Sequence, residues 1–562
     1  MNASTSTARA IVDELVRGGV TDAVLASGSR SAALALALAA AERQKHLSLH
    51  VRLDERSAGY LALGLAKVQR RPVAVITTSG TAAVNLHPAV VEASYAGIPL
   101  IAITADRPAA LQGVGANQTI EQQNLFGVHA RWFAQIDVVA AEQVRSIVAR
   151  ALAVSRSESH PGPVHLNVPF AEPLVPDADD DGAIPAGRAD GLPWVRDRRG
   201  RTKADQILSD HVGDAPIARG LVIVGDHDIS RLDHLVGNLS TAMGWPVISE
   251  PSGHCEWLPN ALKHGPLLTG DAEFLAAHTP DIVLTVGSVG LHRGIARLVA
   301  SAALHVAVDP RPLSALSDPT RTASIVLSEV PLASGSQRNP QWLAEWRAAD
   351  EAICGVVVAH LDEGPFTGPV AVNTVATALG LDDLLVCGPS WPIRHLASYV
   401  GPVAARVIAN RGTSGIDGVV STAWGAALAH AGATVCLVGD LTALYDRNGL
   451  LVPAGERRPD LVYVVVDNDG GGIFSSLEQG APQFAADFER VFGTPHAIDL
   501  PHALSGPGIT VRQAGDRAAL AEALSAARTE GGVHVIIARV ASRTVEAEQV
   551  AAIAASVRST LG

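Results

Sequence analysis

The chain is expected to fold as α/β, in three doubly wound parallel-sheet domains. Apolar β-type runs such as VAVIT (73–77), LIAIT (100–104), LVIVG (221–225) and DIVLTVG (281–287) alternate with Ala-rich helical stretches. Near-continuous apolar strands of this kind belong to parallel sheets covered by helices on both faces. Hydrophobic residues make up 48% of the chain and charged residues 18%, which suits extensive burial. At 562 residues the chain exceeds what one hydrophobic core organises, so three domains of ordinary size are expected.

The first domain is expected over residues 1–175. It opens with an amphipathic helix in MNASTSTARAIVDELVRGGV and ends in the strand Val164–Val168 before Pro169, Pro173 and Pro176. Residues 176–198, rich in Pro, Gly and Asp and without apolar periodicity, read as a linker. A central α/β domain is expected over 199–368, with strands at 221–224, 246–249, 281–286 and 304–308 and a helix around Trp342–Leu361. Its LVIVGDHD is like a nucleotide-binding first strand but lacks the GxGxxG turn, which favours a structural domain. The last domain is expected over 369–562.

Composition excludes several roles. The formal net charge is −13 and no block of Lys or Arg stands out, so nucleic acid is not an expected partner. Cys255, Cys354, Cys387 and Cys436 are widely spaced, without a CxxC pair, which argues against a disulfide scaffold or a zinc site. The longest run of small apolar residues, Ala32–Ala41, is too short to span a bilayer. A cytoplasmic protein without membrane insertion is expected.

The stretch 435–474 carries the most chemistry. Val435–Val438 runs into Gly439-Asp440, and Leu461–Val466 runs into Asp467-Asn468-Asp469 and Gly470-Gly471-Gly472. One crossover, with a helix expected around Thr442–Leu451, joins them. A right-handed βαβ unit brings two such strand ends together. A carboxylate, an amide oxygen and Gly-rich backbone then converge, as an octahedral Mg²⁺ holding a diphosphate requires. A parallel-sheet edge with polar turns would carry some of the same residues.

Three further blocks stand out. In LDERSAGYLALGLA (53–66), helix chemistry alone accounts for Asp54 as an N-cap and Glu55 as a first-turn carboxylate facing the helix dipole. Ser27-Gly28-Ser29-Arg30-Ser31 precedes an Ala/Leu helix, and a Gly/Ser turn there can take an anion, with Arg30 as a carboxylate fork. Arg107 lies in Thr104-Ala105-Asp106-Arg107-Pro108 at another strand end, and Asn117 and Gln118 follow in the loop from Gly113.

Gly-Asp, then Asn and a Gly run, resembles the signature of thiamine diphosphate (ThDP) enzymes. GSRS, DERSAGYLALGLA, TTSGTAAVNLHPAVVEA, TADRP, GANQTI and NRGTSGIDG together resemble one family among them, the 2-succinyl-5-enolpyruvyl-6-hydroxy-3-cyclohexene-1-carboxylate (SEPHCHC) synthases of menaquinone biosynthesis. The resemblance implies a transferase that decarboxylates 2-oxoglutarate and adds the product to isochorismate by conjugate addition. It implies ThDP and Mg²⁺ or Mn²⁺ as cofactors. Asp440, Asn468 and the carbonyl of Gly470 are the implied metal ligands, Asp467 being one register step from Asn468.

The cofactor is further implied to contact Gly439, Leu441, Thr442, Gly471, Ile473 and Phe474, and Ile416 in SGIDG would prop its bent shape. Glu55 is implied to hydrogen-bond the pyrimidine N1′. Ser390 and Arg394 in GPSWPIR would hold the distal carboxylate of 2-oxoglutarate, with Arg411 near the same place. Ser29, Arg30 and Arg107 would hold isochorismate, with Asn117 and Gln118 near its reacting carbons. A homodimer with shared sites is implied, and a homotetramer is usual in the family. This chain departs from the family pattern at Ser27, where Pro precedes GSR, and in the central domain, where His292-Arg293 occupies the region of an expected Lys. The competing readings are an acetolactate-synthase-like carboligase, acting on pyruvate, and a catalytically silent binding protein.

Overall fold

In the computed structural model the described residues, all but 138–139, 196–207, 209–217, 228, 230 and 334–338, build three parallel sheets. The first contains β1 (Asp22–Ala26), β2 (Ser48–Arg52), β3 (Val73–Thr77), β4 (Leu100–Asp106), β5 (Phe133–Gln135) and β6 (Val164–Pro169), in the order 2-1-3-4-6-5. The second contains β7 (Gly220–Val224), β8 (Val247–Ser249), β9 (Ile282–Val286), β10 (Leu304–Val308) and β11 (Ile325–Leu327), in the order 11-10-9-7-8. The third contains β12 (Leu384–Cys387), β13 (Arg406–Ile408), β14 (Thr434–Gly439), β15 (Leu461–Asp467), β16 (Ile509–Ala514) and β17 (Val533–Arg539), in the order 13-12-14-15-17-16. The first and third sheets therefore share one strand order, beyond the common rhythm legible in the sequence.

Alternate residues of each central strand enter opposite cores, which is why the runs are apolar throughout. Leu384, Val386, Cys436 and Val438 face one core while Leu385, Cys387, Val435 and Leu437 face another. The first of these cores also contains Val24, Val73 and Val75 from the first sheet. Two helices fill the space between the sheets, Glu55–Gln69 and Val419–Ala429. They touch backbone to backbone. A Cβ on Gly64 would run into the Thr422 carbonyl, and one on Gly425 into the Leu61 carbonyl. These mid-helix glycines trade helix propensity for close approach.

The predicted helix over 442–451 is a correction. The helix is Asp440–Tyr445, followed by a 3₁₀ turn at Arg447–Leu450. Asp446 breaks it by turning inward to accept the Ser421 N–H at 2.7 Å. The predicted linker is strapped to the first helix, Ala3–Arg17: Arg9 pairs with Asp180 at 2.6 Å, and Arg17 donates to the Arg188 carbonyl at 2.9 Å. Residues 196–198 of that linker, and residue 199 at the expected start of the central domain, lie outside the described residues. No helix among the described residues is long and apolar enough to cross a membrane.

Candidate cofactor-binding and active site

The paired strands β14 and β15 run in register to Gly439 opposite Val466, so Asp440 and the 467–472 turn emerge side by side. A cavity of about 140 Å³ opens there. Its walls include Ser390, Trp391, Ile416, Gly439, Asp440, Leu441, Thr442, Asn468, Gly470, Gly471, Ile473 and Phe474, and thus every cofactor-contact residue expected from the sequence except Glu55. The helices Trp391–Tyr399 and Asp440–Tyr445 both start at this wall, presenting backbone N–H groups suited to an anion.

Asp440 is 2% exposed. Its Oδ1 accepts from Leu441 N at 2.6 Å and its Oδ2 from Gly470 N at 2.8 Å. Burial is the largest influence on its carboxyl and raises it to about 6; Asp467 adds to the rise, while the Gly470 and Leu441 N–H groups and His496 oppose it. Asn468 Oδ1 is buried without a hydrogen-bond partner. An orphaned amide oxygen is costly unless something electropositive meets it. Gly470 has φ +127°, and a Cβ there would meet the Gly493 carbonyl, so only glycine fits the turn. The oxygen set Asp440, Asn468 and Gly470 fits Mg²⁺ or Mn²⁺.

Asp467 behaves differently from Asn468. It does not line the cavity; its Oδ1 accepts from Asp469 N at 3.2 Å and its Oδ2 lies 3.1 Å from Arg539 Nη2. His496 is the residue that sequence reading missed. Its Nε2 lies 3.3 Å from Asp440 Oδ2, and Asp440, Asp467 and His496 offer ligand atoms within 4.8 Å of one another. Asp469 Oδ1 holds its loop by accepting from His496 N at 3.0 Å and Ala497 N at 3.1 Å. A lone His in TPHAID carries no motif, so the only signal was spatial.

Two basic clusters lie outside this cavity. In the first sheet's unit, Arg30 is 9% exposed and donates to the Phe170 carbonyl at 2.9 Å, leaving a buried Nε unpartnered. Burial first, and then Arg107, holds its guanidinium below its ordinary pKa. Arg107 hydrogen-bonds Ser79 Oγ, and Gln118 Nε2 donates to the Ser79 carbonyl at 3.0 Å, so Ser79 joins these two candidates. Asp106 fixes the base of the turn by accepting from Arg107 N at 2.7 Å and Asn167 Nδ2 at 2.9 Å. Ser29 and Asn117 are exposed.

The second cluster joins the third sheet to the second. Arg394 donates to the Ser390 carbonyl at 2.9 Å and Arg411 to Ser414 Oγ at 2.8 Å. Burial, then Arg411, lowers the Arg394 pKa, with Glu250 opposing. His292 belongs here: burial first, then Arg394 and Arg411, depress it to about 3, so it is neutral at working pH. Arg293 instead pairs with Glu478 at 3.0 Å on the surface. Glu250, 2% exposed, accepts from Gly290 N at 2.9 Å and Leu291 N at 2.7 Å, bracing the loop before His292.

Glu55 is half-buried in the first turn of its helix, and Asp54 is the N-cap, accepting from Ser57 N at 3.0 Å. Every residue lining the cavity falls between Gly368 and Glu546. One chain therefore does not bring Glu55, or the Arg30–Arg107 cluster, to that cavity.

A doubly wound pair of units, with an oxygen-rich cradle and an anion-ready wall on one and a helix-start glutamate on the other, is the arrangement of a thiamine diphosphate enzyme. The thiamine pyrophosphate enzyme N-terminal TPP-binding domain matches residues 5–125, and the corresponding C-terminal TPP-binding domain matches 395–538. The chain is 43% identical over 523 residues to the SEPHCHC synthase of Saccharopolyspora erythraea, covering 91% of each chain. It is 42% identical over 548 residues to that of Nocardia farcinica, covering 93% of this chain and 94% of the relative. To that of Thermobifida fusca it is 43% identical over 563 residues, covering 93% and 97%. The chain belongs to the SEPHCHC synthase family.

Proposed function

We propose that the protein decarboxylates 2-oxoglutarate and adds the resulting four-carbon unit to isochorismate, forming SEPHCHC and CO₂ in menaquinone biosynthesis. The observation that carries this beyond the ThDP class is the pair of basic clusters. Arg30 with Arg107, and Arg394 with Arg411, each repel one another within a protein of net charge −13. Such pairs suit dicarboxylates attracted locally rather than by the global field. An acetolactate-synthase-like enzyme acting on pyruvate would not need two of them.

Thiamine diphosphate, when bound, supplies the nucleophilic carbon and the electron sink. Asp440, Asn468 and the Gly470 carbonyl would hold Mg²⁺ or Mn²⁺, and Gly439, Leu441, Thr442 and Gly471 would contact the cofactor. Ile416, Ile473 and Phe474 form the apolar wall that keeps the site dry. Glu55 holds a proton at the pyrimidine N1′. Ser390 and Arg394 grip the distal carboxylate of 2-oxoglutarate, with Arg411 beside them. Ser29, Arg30 and Arg107 grip isochorismate, and Asn117 and Gln118 lie near its reacting carbons.

The division into units 1–175, 199–368 and 369–562 belongs to this reading. Because Glu55 does not line the cavity of its own chain, the site is completed by a second copy, in a homodimer that pairs further into a homotetramer. The enzyme is cytoplasmic. The test is CO₂ release from 2-oxoglutarate with ThDP and Mg²⁺, with and without isochorismate, against pyruvate as control. Turnover of pyruvate in preference to 2-oxoglutarate would replace this reading with the carboligase one.

A further inference from the structure

The loop that carries Arg411 is held by a carboxylate from a different sheet. Glu92, on the helix His87–Ala96 of the first sheet's unit, is 1% exposed. Its Oε1 accepts from Gly412 N at 2.8 Å, and its Oε2 accepts from Thr413 N at 2.6 Å and Thr413 Oγ1 at 2.8 Å. A Cβ on Gly412 would lie 2.8 Å from Ala96 N and 3.0 Å from Glu92 Cδ, so glycine is what lets the loop reach the carboxylate. On the far side of the turn Arg411 donates to Ser414 Oγ, and Ser414 adopts φ +58°.

A buried carboxylate is expensive unless its lone pairs are met by well-placed donors. The apolar sequence HPAVVEASYA offers no local reason for a glutamate, and among the described residues the three hydrogen-bond donors to Glu92 all come from the two residues after Arg411. We infer that Glu92 is a positioning residue: it fixes, from another sheet, the turn that aims Arg411 at a substrate carboxylate. The inference rests on the proposed role of Arg411 and adds to it where that arginine gets its direction.

The test is a double-mutant cycle with Glu92→Gln and Arg411→Ala in the holoenzyme, reading kcat and KM for both substrates and the ThDP-induced rise in melting temperature. Glu92→Gln is isosteric but turns an NH₂ toward backbone donors. It should lower kcat/KM by about 10- to 100-fold, mainly through KM, the scale of one or two charge-assisted hydrogen bonds. The ThDP-induced melting shift should stay as in wild type. If Glu92 acts through Arg411, the double variant loses no more than Arg411→Ala alone. Additive losses, or a Glu92→Gln enzyme within twofold of wild type, overturn the inference.

Should Glu92→Gln fail to fold, Thr413→Val removes one donor and enters the same cycle, with about a 3- to 10-fold loss expected and the same non-additivity deciding. Failure of the parent reading has a different signature. An Arg411→Ala enzyme with unchanged constants removes the role of Arg411 and this inference with it. An enzyme sensitive to Arg411→Ala but indifferent to Glu92→Gln removes the positioning role alone.

Discussion

Gly64→Ala sets two known effects against each other. In an exposed helix interior, Ala for Gly stabilises by about 1 kcal/mol. At Gly64 the new Cβ would lie 2.9 Å from both Ala426 N and the Thr422 carbonyl carbon, and closer still to the Thr422 oxygen. These are backbone atoms of a helix buried from Val419 to Leu428, so no rotamer change relieves the overlap. Overpacking of that kind costs about 1–3 kcal/mol, and a contact with backbone belongs at the upper end. The net expectation is a loss of about 2 kcal/mol, or a melting temperature lower by roughly 4–8 °C. Gly355 is the internal control, an exposed glycine inside the helix Pro340–Glu363 with nothing within 4 Å of a built Cβ. Gly355→Ala should therefore raise the melting temperature slightly. The assay is thermal unfolding of both variants beside wild type at one scan rate and concentration. If Gly64→Ala matched or exceeded Gly355→Ala in stability, the backbone contact between the two helices would not limit the packing of the first and third sheets.

Glu55→Gln should preserve folding and most ThDP affinity yet slow turnover by at least ~10²-fold, the scale of lost acid–base catalysis; near-normal turnover would remove Glu55 from the mechanism. Asp440→Ala should largely abolish stabilisation by ThDP and Mg²⁺, which for a ligand at ~100 times its Kd amounts to ~2.7 kcal/mol; an unchanged ThDP-induced melting shift would place the metal elsewhere. Arg394→Lys should raise KM for 2-oxoglutarate and slow single-turnover CO₂ release, whereas Arg107→Lys should spare that release and impair capture by isochorismate. Each change loses a planar fork while keeping the charge, for about 10- to 150-fold. Equal loss of CO₂ release in both would mean one shared anion cluster.

The parallel strands were legible because burial on both faces leaves little but Val, Ile, Leu and Ala in them. Among the edge strands β8 was read at 246–249, but β13 and β16 were not. In β16, ITVRQA, only Ala514 is fully buried, and β13 is three residues long, so neither leaves a run to find. The meeting of Asp440 with the 467–472 turn was legible because both lie at the ends of two adjacent strands joined by one crossover. Asp467 and Asn468, neighbours in sequence, were separated only by the direction in which the turn points them, one toward Arg539 and the other into the cavity.

The sequence by itself determined the α/β class, the strand-end chemistry at Asp440 and Asn468, the helix-start glutamate and the family, since each depends on residues a few positions apart or on a motif read whole. Tertiary structure decided what depends on distant segments meeting. It brought His496 against Asp440, His292 rather than Arg293 beside Arg394 and Arg411, and Glu92 under the 412–413 loop. It also left Glu55 away from the cavity of its own chain. The contacts among these join segments from 56 to 321 residues apart. Hydrophobic packing of whole sheets sets them, and no local pattern of side chains records which loops that packing will bring together.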